Sequence, residues 1–318
     1  LIDQRDALAS AAVELRFDVD LEAPVDDLAV DGLAPVDRWV EPSDEQRELL
    51  AVAGAPVVLA GPGVVRDGAV AGLHDLAVGG GLGVLNTWGA KGVFHWQSRH
   101  HWATVGLQAS DFELGGLAAA DLIVATGIDP LEAPPARWQL APTLTVEPLA
   151  LAAAAEGLTR PWRDLAVPPL RARLAAATQA GWAQVGAPIA PSRVTLNYAR
   201  GIGLGGLLAA DPGTAGYWVA RTYGTTELGS VHVPAAADAH GFAAACVVVA
   251  RLRRPGRPAF ATVDGPRREI VDEVIEAARA LGVAVPLEMW TPDGDRLAPE
   301  DHLARVRDAA VEHHPRDV

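Results

Sequence analysis

Cysteine is all but missing from this chain. Cys246 is the only one in 318 residues, which excludes an internal disulfide and any multi-cysteine metal site. It sits within Phe-Ala-Ala-Ala-Cys-Val-Val-Val, where a buried, inert thiol is the plain reading. Positive charge is scarce as well. Lysine and arginine number 26 against 40 aspartates and glutamates, and the net charge of −14 argues against nucleic acid or an anionic membrane as an electrostatic partner. Lys91 is the lone lysine, a skew that reads as the codon bias of a GC-rich genome. No apolar run approaches the ~18–20 residues of a membrane span, and no charged-then-apolar leader opens the chain. A soluble, cytoplasmic protein is expected. The chain begins at Leu1 without Met, so a natural start further upstream is expected.

What is present is core-forming material. Half of the residues are hydrophobic, enough for two ordinary domains. Asp3 to Ala12 suits a short helix, and Val13 to Asp20 alternates apolar and polar as a half-buried strand does. Pro24 and Pro35 mark an extended linker reaching Pro42. Ser43-Asp-Glu-Gln46 is a capping-box signature, opening a helix that ends near Gly54. Buried parallel strands are expected at Pro56–Ala60, Gly83–Thr87, Leu122–Thr126 and Ala259–Val263, with helices at Leu73–Val78 and around Leu114–Ala120. Pro161, Pro168 and Pro169 surround Trp162 in a linker, after which Leu170 to Val185 looks helical. A helix over Glu269–Leu281 carries Ile270, Val271, Val274, Ile275 and Ala278 on one stripe at roughly 3.6-residue spacing, and a strand follows over Val283–Trp290. The fold class is α/β: two three-layer αβα domains with mostly parallel sheets, over 42–160 and 186–318. Residues 1–41 form a helix, strand and linker, and 161–185 a linker and helix.

The most informative stretch runs from Asp211 to Gly265. It begins Asp211-Pro-Gly213, with Tyr217-Trp218-Val-Ala-Arg221 behind. It continues through His240-Gly241-Phe242 into an apolar helix and closes on Thr262-Val-Asp264-Gly265. This order resembles the diphosphate-binding domain of thiamine-diphosphate enzymes of the acetolactate synthase-like family. There an Asp-Val-Gly turn precedes an aromatic helix, a Gly-x-Met-Gly-Phe helix start and a Gly-Asp-Gly metal loop. Pro42 to about Leu158, with Ala90-Lys91-Gly92, resembles the family's middle domain. Leu1 to Asp20 looks like the tail of its pyrimidine-binding domain, whose body is absent.

The resemblance implies thiamine diphosphate and Mg²⁺ as cofactors, or neither if the site is degenerate. It assigns Asp211, Gly213, His240, Gly241 and Gly265 to the cofactor and Asp264 to the metal. In that register Trp290 or Thr291 stands where the family has an Asn ligand, and Asp293 and Asp295 are the nearby substitutes. Counted without a gap from Gly241, the metal position falls on Gly265. Asp238 places a carboxylate where the diphosphate would enter, which is unfavourable without a metal between them. An ordinary turn explains Asp-Gly-Pro equally. No residue takes the family's catalytic Glu, which the missing domain supplies.

His95, His100 and His101 cluster, but the lack of Cys or a carboxylate partner argues against a zinc site. The resemblance places their loop near the family's active-site cleft, where it would shape a substrate pocket. Gly61-Pro-Gly63 and Gly79-Gly-Gly81 read as turns. Two functions remain open. The chain is a subunit or fragment of a ketoacid decarboxylase or carboligase that needs a separate pyrimidine-binding domain, or it is a non-catalytic relative used for assembly or regulation. A homodimer or a complex with such a partner chain is expected, since Tyr217, Trp218 and Tyr223 lead into the family's intersubunit cleft. The alternative is a cleft that collapses around Trp290.

Overall fold

The computed structural model describes residues 41–318 apart from 157, 159–167, 266–267, 292–296 and 312–318. The expected helix and strand before Pro24, the prolines at 24, 35 and 161 with Trp162, and Asp293 and Asp295 lie outside the described residues. The first half runs α1 (Asp44–Val52), β1 (Pro56–Ala60), α2 (Gly63–Arg66), α3 (Val70–Gly80), β2 (Gly83–Thr87), β3 (His101–Val105), α4 (Asp111–Leu114), β4 (Leu122–Thr126), α5 (Pro135–Trp138), β5 (Thr143–Thr145) and α6 (Leu151–Ala155). Helix α7 (Pro169–Trp182) leads to the second half. There follow α8 (Pro191–Ile202), β6 (Leu207–Ala210), α9 (Thr214–Thr222), β7 (Val231–His232), α10 (Phe242–Arg253), β8 (Ala259–Asp264), α11 (Arg268–Ala280), β9 (Leu287–Trp290) and α12 (Pro299–Val311).

These strands make two parallel sheets, ordered β3-β2-β1-β4-β5 and β7-β6-β8-β9, each flanked by helices. The fold is α/β with two three-layer domains. Alternation along the strands places the core on both faces of each sheet. Val58 and Val84 join Leu73, Leu76 and Leu151 on one face of the first sheet, while Leu59 and Ile123 join Phe112 and Trp138 on the other. In the second sheet, Leu208 and Phe260 pack with Tyr198 and Val306, and Ala209 and Val263 with Val247 and Val271. A strand covered on both sides carries no polar stripe, which is why β1, β4 and β8 read as continuous apolar runs.

Local signals place the ends of these elements. The Ser43 hydroxyl accepts the Gln46 N–H at 3.2 Å and the Gln46 side chain accepts the Ser43 N–H at 3.0 Å, closing the expected capping box. The stripe of α11 is buried at Val271 and Ala278, with Val274 and Ile275 against the same core. Four expectations change. Gly79 and Gly80, read as part of a turn, continue α3, and only Gly81, with φ of +60°, ends it. The helix expected around Leu114–Ala120 is the short α4 followed by a single 3₁₀ turn at Leu117–Ala119, because Gly116 takes φ of +95° between them. The helix expected to reach Val185 stops at Trp182. The strand expected from Val283 is confined to Leu287–Trp290: Pro286 offers no N–H to the ladder, though its carbonyl accepts from Ala261.

Candidate functional site

The second sheet starts at its middle. From β6 the chain crosses through α9 to β7 on one side, then through α10 to β8 on the other. Such a reversal leaves a crevice at the carboxyl ends of the two diverging strands, the usual ligand site of open α/β sheets. Here the strand ends carry Asp211, just after β6, and Asp264, the last residue of β8. Beside them start α9, which follows β6, and α10, which follows β7, each with backbone N–H groups that its own helix leaves unmatched and the positive end of a helix dipole.

Each carboxylate closes one of those helix ends. Asp264 accepts the N–H of Thr214 at 2.5 Å and of Ala215 at 3.0 Å, capping α9 from 49–50 residues away. Asp211, 1% exposed, accepts the N–H groups of Gly241 and Ala243, both at 2.7 Å, and so caps α10. Gly213 makes the first cap possible: it takes φ of +111°, and a β-carbon there would lie 2.0 Å from Asp264 Oδ2. Gly241, at φ of +81°, lets α11 close over the start of α10, with Ile270 Cγ2 only 3.1 Å from where its β-carbon would be. Gly265 donates its N–H to the Trp290 carbonyl at 3.1 Å. His240 stands near enough to favour the ionised form of Asp264. Burial, the largest influence, nonetheless raises the Asp264 pKa, and Asp211 adds to the rise. The fold thus gathers all six residues singled out in the sequence around the carboxyl ends of the central strands β6 and β8.

Beside them Trp290 is the parallel-ladder partner of Asp264. Its indole N–H donates to the Tyr198 hydroxyl at 2.9 Å. Tyr198 in turn donates to Glu288 at 2.6 Å, and the fully buried His302 holds both oxygens of the same carboxylate at 3.0–3.1 Å. Asn197 joins from α8 through its contact with His302 Nδ1 at 3.0 Å. Burial alone would raise the Glu288 pKa, but His302, Tyr198 and Arg305 outweigh it and hold the carboxyl below its usual range. Tyr198, Glu288 and His302 did not stand out in the sequence. Their only signal was Glu288, a charge inside the otherwise apolar Leu287–Trp290.

A Mg²⁺–diphosphate pair does not fit these residues. The N–H donors of α9 and α10 that would meet phosphate oxygens already serve Asp264 and Asp211. An incoming dianion would face two carboxylates, and of Trp290 and Thr291, which the resemblance sets against the family's Asn ligand, Trp290 offers an indole donor in place of an oxygen. Among the described residues no three His, Cys, Asp or Glu side chains assemble as a metal cage, the His95–His101 cluster included. In the first sheet the corresponding crevice, between β1 and β4, is filled by backbone: Gly61 and Gly63 donate to the carbonyls of Thr126 and Gly127 at 2.9 and 2.8 Å. A β-carbon on Gly61 would lie 2.3 Å from the Gly127 oxygen.

Residues 44–141 match the family model described as thiamine pyrophosphate enzyme, central domain. This segment runs from α1 to just before β5 and is the part of the chain similar to that domain. No curated protein matches the chain. Among the described residues no helix is long and apolar enough to cross a membrane.

Proposed function

We propose that this chain is a thiamine-diphosphate-enzyme-like protein that works as an assembly or regulatory module, with its diphosphate crevice closed by its own side chains. One observation carries the reading: the Asp264 carboxylate, the metal ligand that the resemblance implies, is spent on the N–H groups of Thr214 and Ala215. A half-buried carboxylate that holds two helix N–H groups, at 2.5 and 3.0 Å, leaves them only for a stronger partner. Calorimetric titration of the chain with thiamine diphosphate and Mg²⁺ at neutral pH tests this. No saturable heat is expected, and Mg²⁺-dependent binding at micromolar affinity would overturn the proposal.

A second reading rests on Gly213 and Gly241, whose left-handed turns keep both helix ends directed at the crevice. In it the chain is the subunit of a ketoacid decarboxylase or carboligase, with thiamine diphosphate and Mg²⁺ recruited only when a partner chain supplies the pyrimidine-binding domain. Repeating the titration with such a partner present separates the two: binding that appears only in the mixture favours the subunit.

A further inference from the structure

Between the edge strand β3, helix α7 and the carboxyl end of α9 lies a cavity of about 340 Å³. That volume falls within the range of about 300–1,000 Å³ that takes a single small molecule. None of Asp211, Gly213, Gly241 or Asp264 lines it.

Its charge is out of character for the chain. Among the described residues Lys91, Arg171 and Arg221 line the cavity and no aspartate or glutamate does, although acids outnumber bases 40 to 26 in the sequence. Arg221 is matched, since its guanidinium grips both oxygens of the buried Asp111 at 2.8 and 3.0 Å. Among the described residues Arg171 reaches only the carbonyl oxygens of Ser98 and Arg99, at 3.5 Å, and no carboxylate there compensates its charge. Lys91 is 7% exposed, and its ammonium makes no hydrogen bond or ion pair among the described residues. A buried charge left in that state is unfavourable. Burial, and then Arg221, lowers the Lys91 pKa to about 7. His101, on β3, is pushed to about 3 by burial and by Lys91, Arg171 and His95, so it brings no charge at neutral pH.

The lining also has surplus donors. Trp182 Nε1 and Arg221 Nε are buried with no acceptor among the described residues. The Trp96 and Trp182 rings meet edge to face, their centroids 5.4 Å apart, and the Trp96 N–H anchors its loop to the Thr225 carbonyl at 2.9 Å. Unmatched cations and donors beside aromatic and aliphatic walls call for an acceptor with an apolar body. Two uncompensated cations, one half-titrated near neutrality, suit a single negative charge better than a phosphate dianion.

We propose that this cavity binds a small organic monocarboxylate with a planar apolar body, the carboxylate held by Lys91 and Arg171 and the body against Trp96 and Trp182. The inference does not depend on the reading of the second sheet, and neither result of the thiamine diphosphate titration bears on it.

The test is a tryptophan-fluorescence titration of the full chain with benzoate, benzamide and inorganic phosphate, repeated on Lys91→Met and Arg171→Met. Circular dichroism checks that both variants fold. Benzoate is expected to bind saturably, with benzamide and phosphate at least about tenfold weaker and each folded variant losing at least about tenfold in benzoate affinity. Benzoate affinity should also fall between about pH 6 and pH 9 as Lys91 loses its proton while His101 stays neutral throughout. If Lys91→Met does not fold, Arg171→Met and the pH profile decide. The proposal is overturned by an absence of saturable benzoate binding, by benzamide or phosphate binding as tightly as benzoate, or by wild-type affinity in a folded variant.

Discussion

Gly213 and Asp264 approach so closely that a β-carbon on the glycine would sit 2.0 Å from the carboxylate oxygen Oδ2. The turn also requires φ of +111° at Gly213, which L side chains rarely adopt. Gly213→Ala therefore meets backbone strain and a displaced cap together, and a loss of about 2–4 kcal/mol is expected in urea unfolding. A wild-type midpoint would contradict the described turn.

Removing the Asp264 carboxylate frees the Thr214 and Ala215 N–H groups and the positive end of α9. Asp264→Ala is expected to cost about 1–2 kcal/mol of stability for the lost cap. The same variant should bind inorganic pyrophosphate measurably by calorimetry where the wild type does not, since open helix ends attract anions. No gain of anion binding would mean that Asp264 is not what closes the crevice.

The Glu288 network makes a pH-dependent contribution of defined sign. Burial opposes its ionisation, but His302, Tyr198 and Arg305 hold the folded pKa below the unfolded one. The stabilisation is therefore present above the unfolded glutamate value of about 4.3 and is lost as pH falls through the folded value. Thermal melts should show the wild type losing stability more steeply than Glu288→Gln below about pH 4.3. Parallel curves for the two proteins would rule this out.

Arg221 reaches from α9 to Asp111 in α4 and to the Thr104 carbonyl in β3, the latter at 3.0 Å. Both ion-pair side chains are at most 2% exposed. Taking away one partner strands a buried charge, so Asp111→Asn or Arg221→Met should each cost about 3–5 kcal/mol. The double variant should lose much less than the sum of the two. Additive losses in chemical unfolding would show that the pair is not coupled.

Assembly follows from the resemblance, in which cofactor sites lie between subunits. Val249 and Leu252 leave α10 with apolar side chains 58% and 52% exposed, whereas Tyr223 is buried within the fold. A homodimer of twice 33.1 kDa, or a complex with a pyrimidine-domain partner, is expected in light scattering. Its interface should bury at least about 1,200 Å². A monomer at micromolar concentration that stays monomeric with such a partner present would defeat the expectation.

Much of the fold was legible because its signals are local. The apolar runs Pro56–Ala60, Gly83–Thr87 and Leu122–Thr126 could only be strands covered on both faces, and Ser43 with Gln46 marks a helix start within one turn of chain. A misreading came where one backbone conformation mattered more than composition, at Gly116, whose left-handed φ broke an otherwise plausible helix. The candidate site was legible as a set of positions, since Asp211, Gly213, Gly241 and Asp264 all stand at strand and helix ends. Their roles were not. What Asp264 holds is set by the sheet order, which lays β8 beside β6 and brings its carboxylate to N–H groups about 50 residues away. The same applies to Lys91, which composition reduced to a matter of codon use. Its charge became significant only when α7 and α9 closed over β3 and removed it from water, because the cost of an unpaired charge depends on burial and partners that no neighbouring residue supplies.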